Sequence, residues 1–139
     1  MITSEVRAAL TAGHLAHLTT LNPDGSPQTT IIWIGVDGDE IVSGHMAMTK
    51  KLRNVQQDPR VSISLELDGR NAMGLDHYLV IEGTAEVTDG GAHALLRRLA
   101  KVYLGPGTDF LPMADPPPGF VLRTTLTRVR GVLPWDERS

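Results

Sequence analysis

Hydrophobic and polar positions along the chain fall into short segments punctuated by glycine, proline and asparagine. Val6, Ala9 and Leu10 lie on one side of a helix over 4–12, and Gly13 is its stop signal. A strand over 14–21 follows. It runs into Asn22-Pro23-Asp24-Gly25, where proline presets the first turn dihedral and glycine takes the left-handed position. The next strand, 27–36, is closed by Asp37-Gly38 and returns through 40–45, so that the three strands read as an antiparallel meander.

Leu52 and Val55 recur at helical spacing within 49–57, and Pro59 disfavours helical backbone in the residue before it, so this short helix stops near Asp58. Residues 60–67 alternate as a strand. Asp68-Gly69-Arg70-Asn71 reads as a turn, and 77–88 as a long strand rich in branched residues. Asp89 is a candidate cap for a helix whose Leu95, Leu96, Leu99, Val102 and Tyr103 form an apolar stripe ending at Gly105-Pro106. The last strand is 120–132. Between them, 105–119 holds five of the nine prolines and three glycines, a stretch without regular structure that suits a loop or lid over a pocket. Six strands joined by tight turns, with few helices, make an antiparallel barrel the economical architecture, and 1–139 reads as a single domain.

Composition narrows the function. A chain of 139 residues, 41% hydrophobic and 21% charged, has the balance of a soluble globular domain. The net charge of −3 gives no bulk attraction to nucleic acid. The absence of cysteine excludes disulfides, thiolate metal sites and cysteine nucleophiles. The opening residues lack the basic leader and apolar run of a signal peptide, and the strongest apolar run, 31–36, is too short to span a bilayer, so a cytoplasmic protein with no membrane partner is expected.

Charge placement supplies the first chemical clue. Of three lysines, Lys50 and Lys51 stand together at the start of the second helix, with Arg53 close behind. The N-terminus of a helix already carries partial positive charge, so cations there are unfavourable unless an anion joins them. Free backbone N–H groups, the Thr49 hydroxyl and two ammonium groups would form a phosphate site, with the preceding strand available to a flat ring. A solvated basic face is the alternative reading.

The residues His17-Leu18-Thr19-Thr20, Asn22-Pro23-Asp24-Gly25-Ser26-Pro27, Lys51 with Asn54, Asp58-Pro59-Arg60-Val61 and Glu82-Gly83-Thr84-Ala85 occur in an order that resembles the pyridoxamine 5′-phosphate oxidase-like split-barrel superfamily. The resemblance implies a six-stranded antiparallel Greek-key split β-barrel with short flanking helices, working as a homodimer whose subunits together enclose each cofactor. It places the cofactor phosphate on Lys51, helped by Thr49, Lys50 and Asn54. The ring would lie against Thr30, Ile31, Ile32 and Trp33, and against Ser43 and His45 on the next strand. FMN-using oxidases of the superfamily carry a basic pattern on the second strand, where this chain has Gln28-Thr29-Thr30-Ile31-Ile32-Trp33. What remains is similar to the deazaflavin branch and implies a coenzyme F420-dependent reductase acting on a small organic molecule. FMN is the alternative cofactor, and a non-catalytic F420 carrier the alternative role.

Other residues add less. His14 and His17, three apart on a strand, point to opposite faces and do not make a metal site. His45, His77 and Tyr78 are candidates for approaching the ring or donating a proton, against the simpler reading of hydrogen-bonded strand residues. Trp33 reads as core or interface packing. Trp135 either packs on its own core or covers a neighbour's site. Phe110, Leu111 and Met113 in the lid hint at an apolar or aromatic electrophile as substrate. No glycine-rich nucleotide fingerprint and no haem motif is present.

Overall fold

A computed structural model describes residues 2–136. Helix α1 (Ser4–Leu10) is capped by the Thr3 hydroxyl, which accepts the Val6 N–H, and buries Val6 and Leu10. The strands are β1 (Ala16–Leu21), β2 (Pro27–Ile32), β3 (Gly35–Asp37), β4 (Glu40–His45), β5 (Arg60–Arg70), β6 (Asp76–Asp89) and β7 (Phe120–Val132). Helix α2 (Lys50–Gln57) lies between β4 and β5, and α3 (Ala92–Tyr103) between β6 and β7. All strands belong to one antiparallel sheet in the order β2-β1-β5-β6-β7-β4-β3.

The sheet has seven strands, not the six expected. The apolar run over 27–36 is two strands, β2 pairing with β1 and β3 pairing with β4, at opposite edges of the sheet. The expected meander is therefore cut in its middle strand. Only Trp33 and Ile34 join the two edges, so the sheet must curl until its edges meet within a few residues' reach. The break falls at Trp33 and Ile34 because the Ile34 N–H leaves the strand ladder and donates to the Tyr103 hydroxyl of α3 at 3.1 Å.

Other boundaries move for local reasons. β5 continues to Arg70, and the turn is 71–75, where Asn71 Oδ1 accepts the N–H groups of Met73 and Leu75 and the expected Asp68–Asn71 turn is strand instead. Asp89 does not cap α3. Gly91 does, at φ 80°, a left-handed conformation that suits glycine. Residues 105–119 carry no regular helix or strand, and Phe110 from this segment packs against Trp33 with centroids 5.2 Å apart.

Alternation fixes the faces. Ala16, Leu18 and Thr20 of β1 point inward, with Ile63 and Leu65 of β5 and Leu79 and Ile81 of β6, into a core completed by Leu10, Leu52, Val55 and Leu122. Each fully buried Leu or Ile contributes about 1.5–3 kcal/mol. Leu52 and Val55 turn one face of α2 into this core, where the helix packs against β1 and β6 and Lys51 reaches Thr30 of β2. Helix α3 lies on the opposite, outer face of β4, close enough that a Cβ on Gly44 would stand 3.0 Å from Leu96 Cγ and 3.1 Å from the Ala92 carbonyl oxygen.

Candidate functional site

Four residues, Met46 to Thr49, connect the end of β4 to the first turn of α2. Thr49 is the N-cap residue, extended at φ −116° and ψ 172°, yet its hydroxyl makes no capping bond. Its Oγ1 is buried and has no hydrogen-bond partner. A hydroxyl sequestered from water without a partner is costly, about 1–3 kcal/mol, and such groups in a folded protein call for an explanation. The first turn contains Lys50 and Lys51 and no acidic residue, so the helix start has no side-chain cap and no carboxylate of its own; Asp24 of the β1–β2 turn is the carboxylate that feels Lys50.

The two lysines differ. Lys50 is exposed, as is Arg53. Lys51 turns inward, where Nζ donates to Thr30 Oγ1 of β2 at 3.3 Å. Burial holds its pKa below the ordinary lysine value, the signature of an ammonium group short of solvent and of a counter-ion. On β4, His45 is buried at 8% exposure, with Nε2 2.8 Å from Ser43 Oγ. Desolvation first, and the Lys51 charge second, lower the His45 pKa to about 4, so the imidazole is neutral at pH 7.

Lys51 thus joins the start of α2 to Thr30 of β2, while Ser43 and His45 pair with each other on β4, with the Lys51 charge acting on His45. The remaining expected residues are placed differently. Ile32 shares the inward face with Thr30, whereas the alternation of β2 turns Ile31 outward at 58% exposure. One face of a ring therefore cannot rest on all four residues from Thr30 to Trp33. Trp33 stacks on Tyr103, centroids 5.3 Å apart and planes 12° from parallel, as side-chain packing rather than an open platform.

The Asn54 amide is spent inside the protein: Nδ2 lies 3.1 Å from Thr20 Oγ1 and 2.9 Å from Asn22 Oδ1, with Gln28 Oε1 at 3.4 Å. It clamps α2 to the β1–β2 hairpin and has no N–H left for a ligand. Tyr78 is on the outer face of β6, three strands away from β2, in a shallow depression with His17, Ser64, Glu66 and Val80. His77 binds the Asp68 carbonyl. Trp135 packs against its own core, and among the described residues no cluster of three metal-binding side chains occurs. Gln28 and Thr20, which complete the Asn54 clamp, were not singled out in the sequence; a buried Asn facing a polar strand end was the available signal.

The donor set at the start of α2 suits a phosphate: a buried N-cap hydroxyl without a partner, an ammonium group two residues on that turns inward, and the N–H groups of the first turn. The sequence matches the pattern of the pyridoxamine 5′-phosphate oxidase family over residues 2–133. The chain belongs to that family. Among solved structures it is similar to an F420 reductase, at 28% identity over 89% of this chain and 94% of the other, with a TM-score of 0.72. A conserved hypothetical protein from Mycobacterium tuberculosis is 30% identical over 96% of this chain and 85% of its own, with a TM-score of 0.74. A FAD-binding protein from Mesorhizobium loti is 25% identical over 88% of each chain, with a TM-score of 0.63. A comparison with curated proteins finds no match. Among the described residues no helix is long and apolar enough to cross a membrane.

Proposed function

We propose that this family member is a cytoplasmic, homodimeric oxidoreductase that binds coenzyme F420 and reduces a small organic molecule. The observation that carries the reading is the unpartnered, buried Thr49 hydroxyl at a helix start furnished with two lysines. A phosphate oxygen accepting from Thr49 Oγ1 and Lys51 Nζ would satisfy both groups.

The charge balance favours the deazaflavin over FMN. The phosphate of F420 is a diester with one negative charge, whereas a phosphate monoester carries about −1.5 to −2 at pH 7. Inward-facing charge here is the single ammonium of Lys51, because His45 is neutral and Lys50 and Arg53 are exposed. On β2, Gln28 and Thr30 stand where a dianion would call for more cations. The neighbour named an F420 reductase supports the same choice, while the FAD-binding neighbour keeps flavins in view.

When bound, the deazaflavin supplies hydride transfer at its own ring carbon. The chain's residues would hold the phosphate end and back the ring at Thr30, in a site that a split barrel would close where Trp33 and Ile34 join the sheet's two edges. The outer face of β2, β1, β5 and β6 presents Ile31, His17, Ser64 and Val80 in one cross-strand row. No charged residue lies in that row of four, and it suits pairing with a second copy.

Parallel titration of the purified protein with F420 and FMN, followed by ring fluorescence, tests the assignment. Binding of F420 in preference to FMN, weakened about 10- to 150-fold in Lys51→Ala as for the loss of a hydrogen bond to a charged group, is the expected outcome. Preference for FMN would reassign the cofactor. Binding of neither would refute the site.

A further inference from the structure

Two rings lie against Trp33, and they are held differently. Tyr103 of α3 stacks on the indole with planes 12° from parallel, and its hydroxyl is tied to the backbone of His14 and Ile34. Phe110 meets the indole at 55° with centroids 5.2 Å apart, and it comes from the strap over 105–119, which has no helix or strand. A phenyl ring has no polar handle of its own.

Phe110 is kept in place by the residues on either side of it. Asp109 Oδ1 pairs with Arg97 Nη2 at 2.5 Å, and the Leu111 carbonyl accepts from His93 Nε2 at 2.7 Å. His93 and Arg97 stand four residues apart on α3, about 6 Å along its axis, a span that two residues of chain, reaching up to about 7 Å, can match. The strap thus runs back along α3, clipped at Asp109 and Leu111 with Phe110 between the clips. Both clips lie at the surface, where water and salt weaken a polar contact. Among the described residues Leu111 is also the one non-glycine residue with positive φ, at 48°, a conformation unfavourable for a residue with a branched side chain. Opening the clips releases that strain.

We propose that Phe110 is an internal stand-in for a ligand: the strap opens at its two clips, Phe110 leaves Trp33, and a flat, neutral aromatic molecule stacks on the indole in its place. Trp33 and Tyr103 remain as a rigid pair, because the Tyr103 hydroxyl keeps its backbone partners whether the strap is open or closed. A flat ring suits the vacated place, since an offset-parallel ring covers more of the indole than the tilted Phe110 does. The strap supplies further apolar surface for a neutral molecule in Leu111 and Met113, which are 39% and 46% exposed within three residues of Phe110. This site uses neither the phosphate-binding residues of α2 nor a bound cofactor, so it stands whether or not the cofactor reading does.

1-Naphthol, flat and uncharged at neutral pH, is the probe, and cyclohexanol, a hydroxyl compound without a π face, is its control. The indole N–H signals of Trp33 and Trp135 are followed by NMR, with Trp135→Phe assigning them. Naphthol is expected to shift the Trp33 signal saturably and to abolish the magnetisation transfer between the Phe110 and Trp33 rings, while cyclohexanol at equal concentration does neither. Phe110→Ala removes the internal competitor and should tighten naphthol binding about three- to tenfold. Asp109→Asn, which alters a clip and neither ring, should tighten it about two- to fivefold. Unchanged or weaker binding in Phe110→Ala, a shift confined to Trp135, or an equal response to cyclohexanol would overturn the proposal. So would a Phe110–Trp33 contact that persists in the wild-type protein at saturating naphthol, which requires no variant to fold. The Trp33 shift should also survive saturating F420; its loss would give this place to the cofactor's own ring and overturn a separate site.

Discussion

The hydroxyl of Tyr103 accepts the N–H of Ile34 at 3.1 Å and donates to the carbonyl of His14 at 2.7 Å. The side chain of one helix thereby satisfies the backbone at the point where a single apolar run divides into β2 and β3. Burial keeps this phenol protonated, raising its pKa above the ordinary tyrosine value. Ile34 is 1% exposed, so water cannot substitute for the hydroxyl.

Tyr103→Phe should therefore destabilise the protein by about 1–3 kcal/mol, the cost of an unsatisfied buried N–H, although it preserves the stack on Trp33. Urea unfolding monitored by tryptophan fluorescence would measure it. An unchanged midpoint would show that the strand break does not depend on this bond.

Thr49→Val separates ligand recognition from folding. Exchanging an unpartnered buried hydroxyl for a methyl group of similar size should leave the ligand-free protein equally stable or up to about 1 kcal/mol more stable. The same change should weaken F420 binding about tenfold, measured by fluorescence titration. A loss of stability without loss of affinity would assign the hydroxyl to the fold instead.

Acid should expose the cost of burying His45. The unfolded chain takes up a proton at about pH 6.5, whereas the folded chain resists until about pH 4, so the unfolded state binds more protons throughout that window. Stability therefore falls as pH drops from 6.5 toward 4, by about 3 kcal/mol from this group. Denaturant melts at several pH values should show a shallower slope in His45→Gln than in the wild-type protein.

Gly44→Val should disturb α3 more than the sheet. The added side chain would meet Leu96 and the Ala92 carbonyl at the closest approach of helix and strand. A loss of about 1–3 kcal/mol is expected, as for an overpacked core, with amide exchange accelerating first in α3.

Much of the fold was legible because its signals are local. The alternation of Ala16, Leu18 and Thr20 against His17 and Thr19, the proline before which α2 ends, and the glycine after α1 act within a few residues. The seventh strand was not, since Gly35 is the one interior punctuation in the run from Pro27 to Val36, and the division rests on Tyr103, some 70 residues away in sequence. At the candidate site, Thr49, Lys51, Thr30, Ser43 and His45 were all identified in the sequence, and the fold brings Lys51 onto Thr30 and pairs His45 with Ser43. Asn54 and Tyr78 show the opposite. Helical spacing put Asn54 near the lysines, but the β1–β2 hairpin claims its amide, and the sheet order carries Tyr78 to the outer face.

The sequence by itself determined the three helices and most of the strand segments, that a helix begins with two lysines and a threonine, and that cysteine chemistry has no place here. Periodicity, turn residues and the helix dipole are short-range causes that residue order encodes directly. Only the tertiary structure decided which of the two lysines loses its water, that the Thr49 hydroxyl finds no partner, and that His45 is neutral. Those properties depend on burial, on the Thr30 hydroxyl of β2 meeting Lys51 and on the Lys51 charge reaching β4, which no single segment contains.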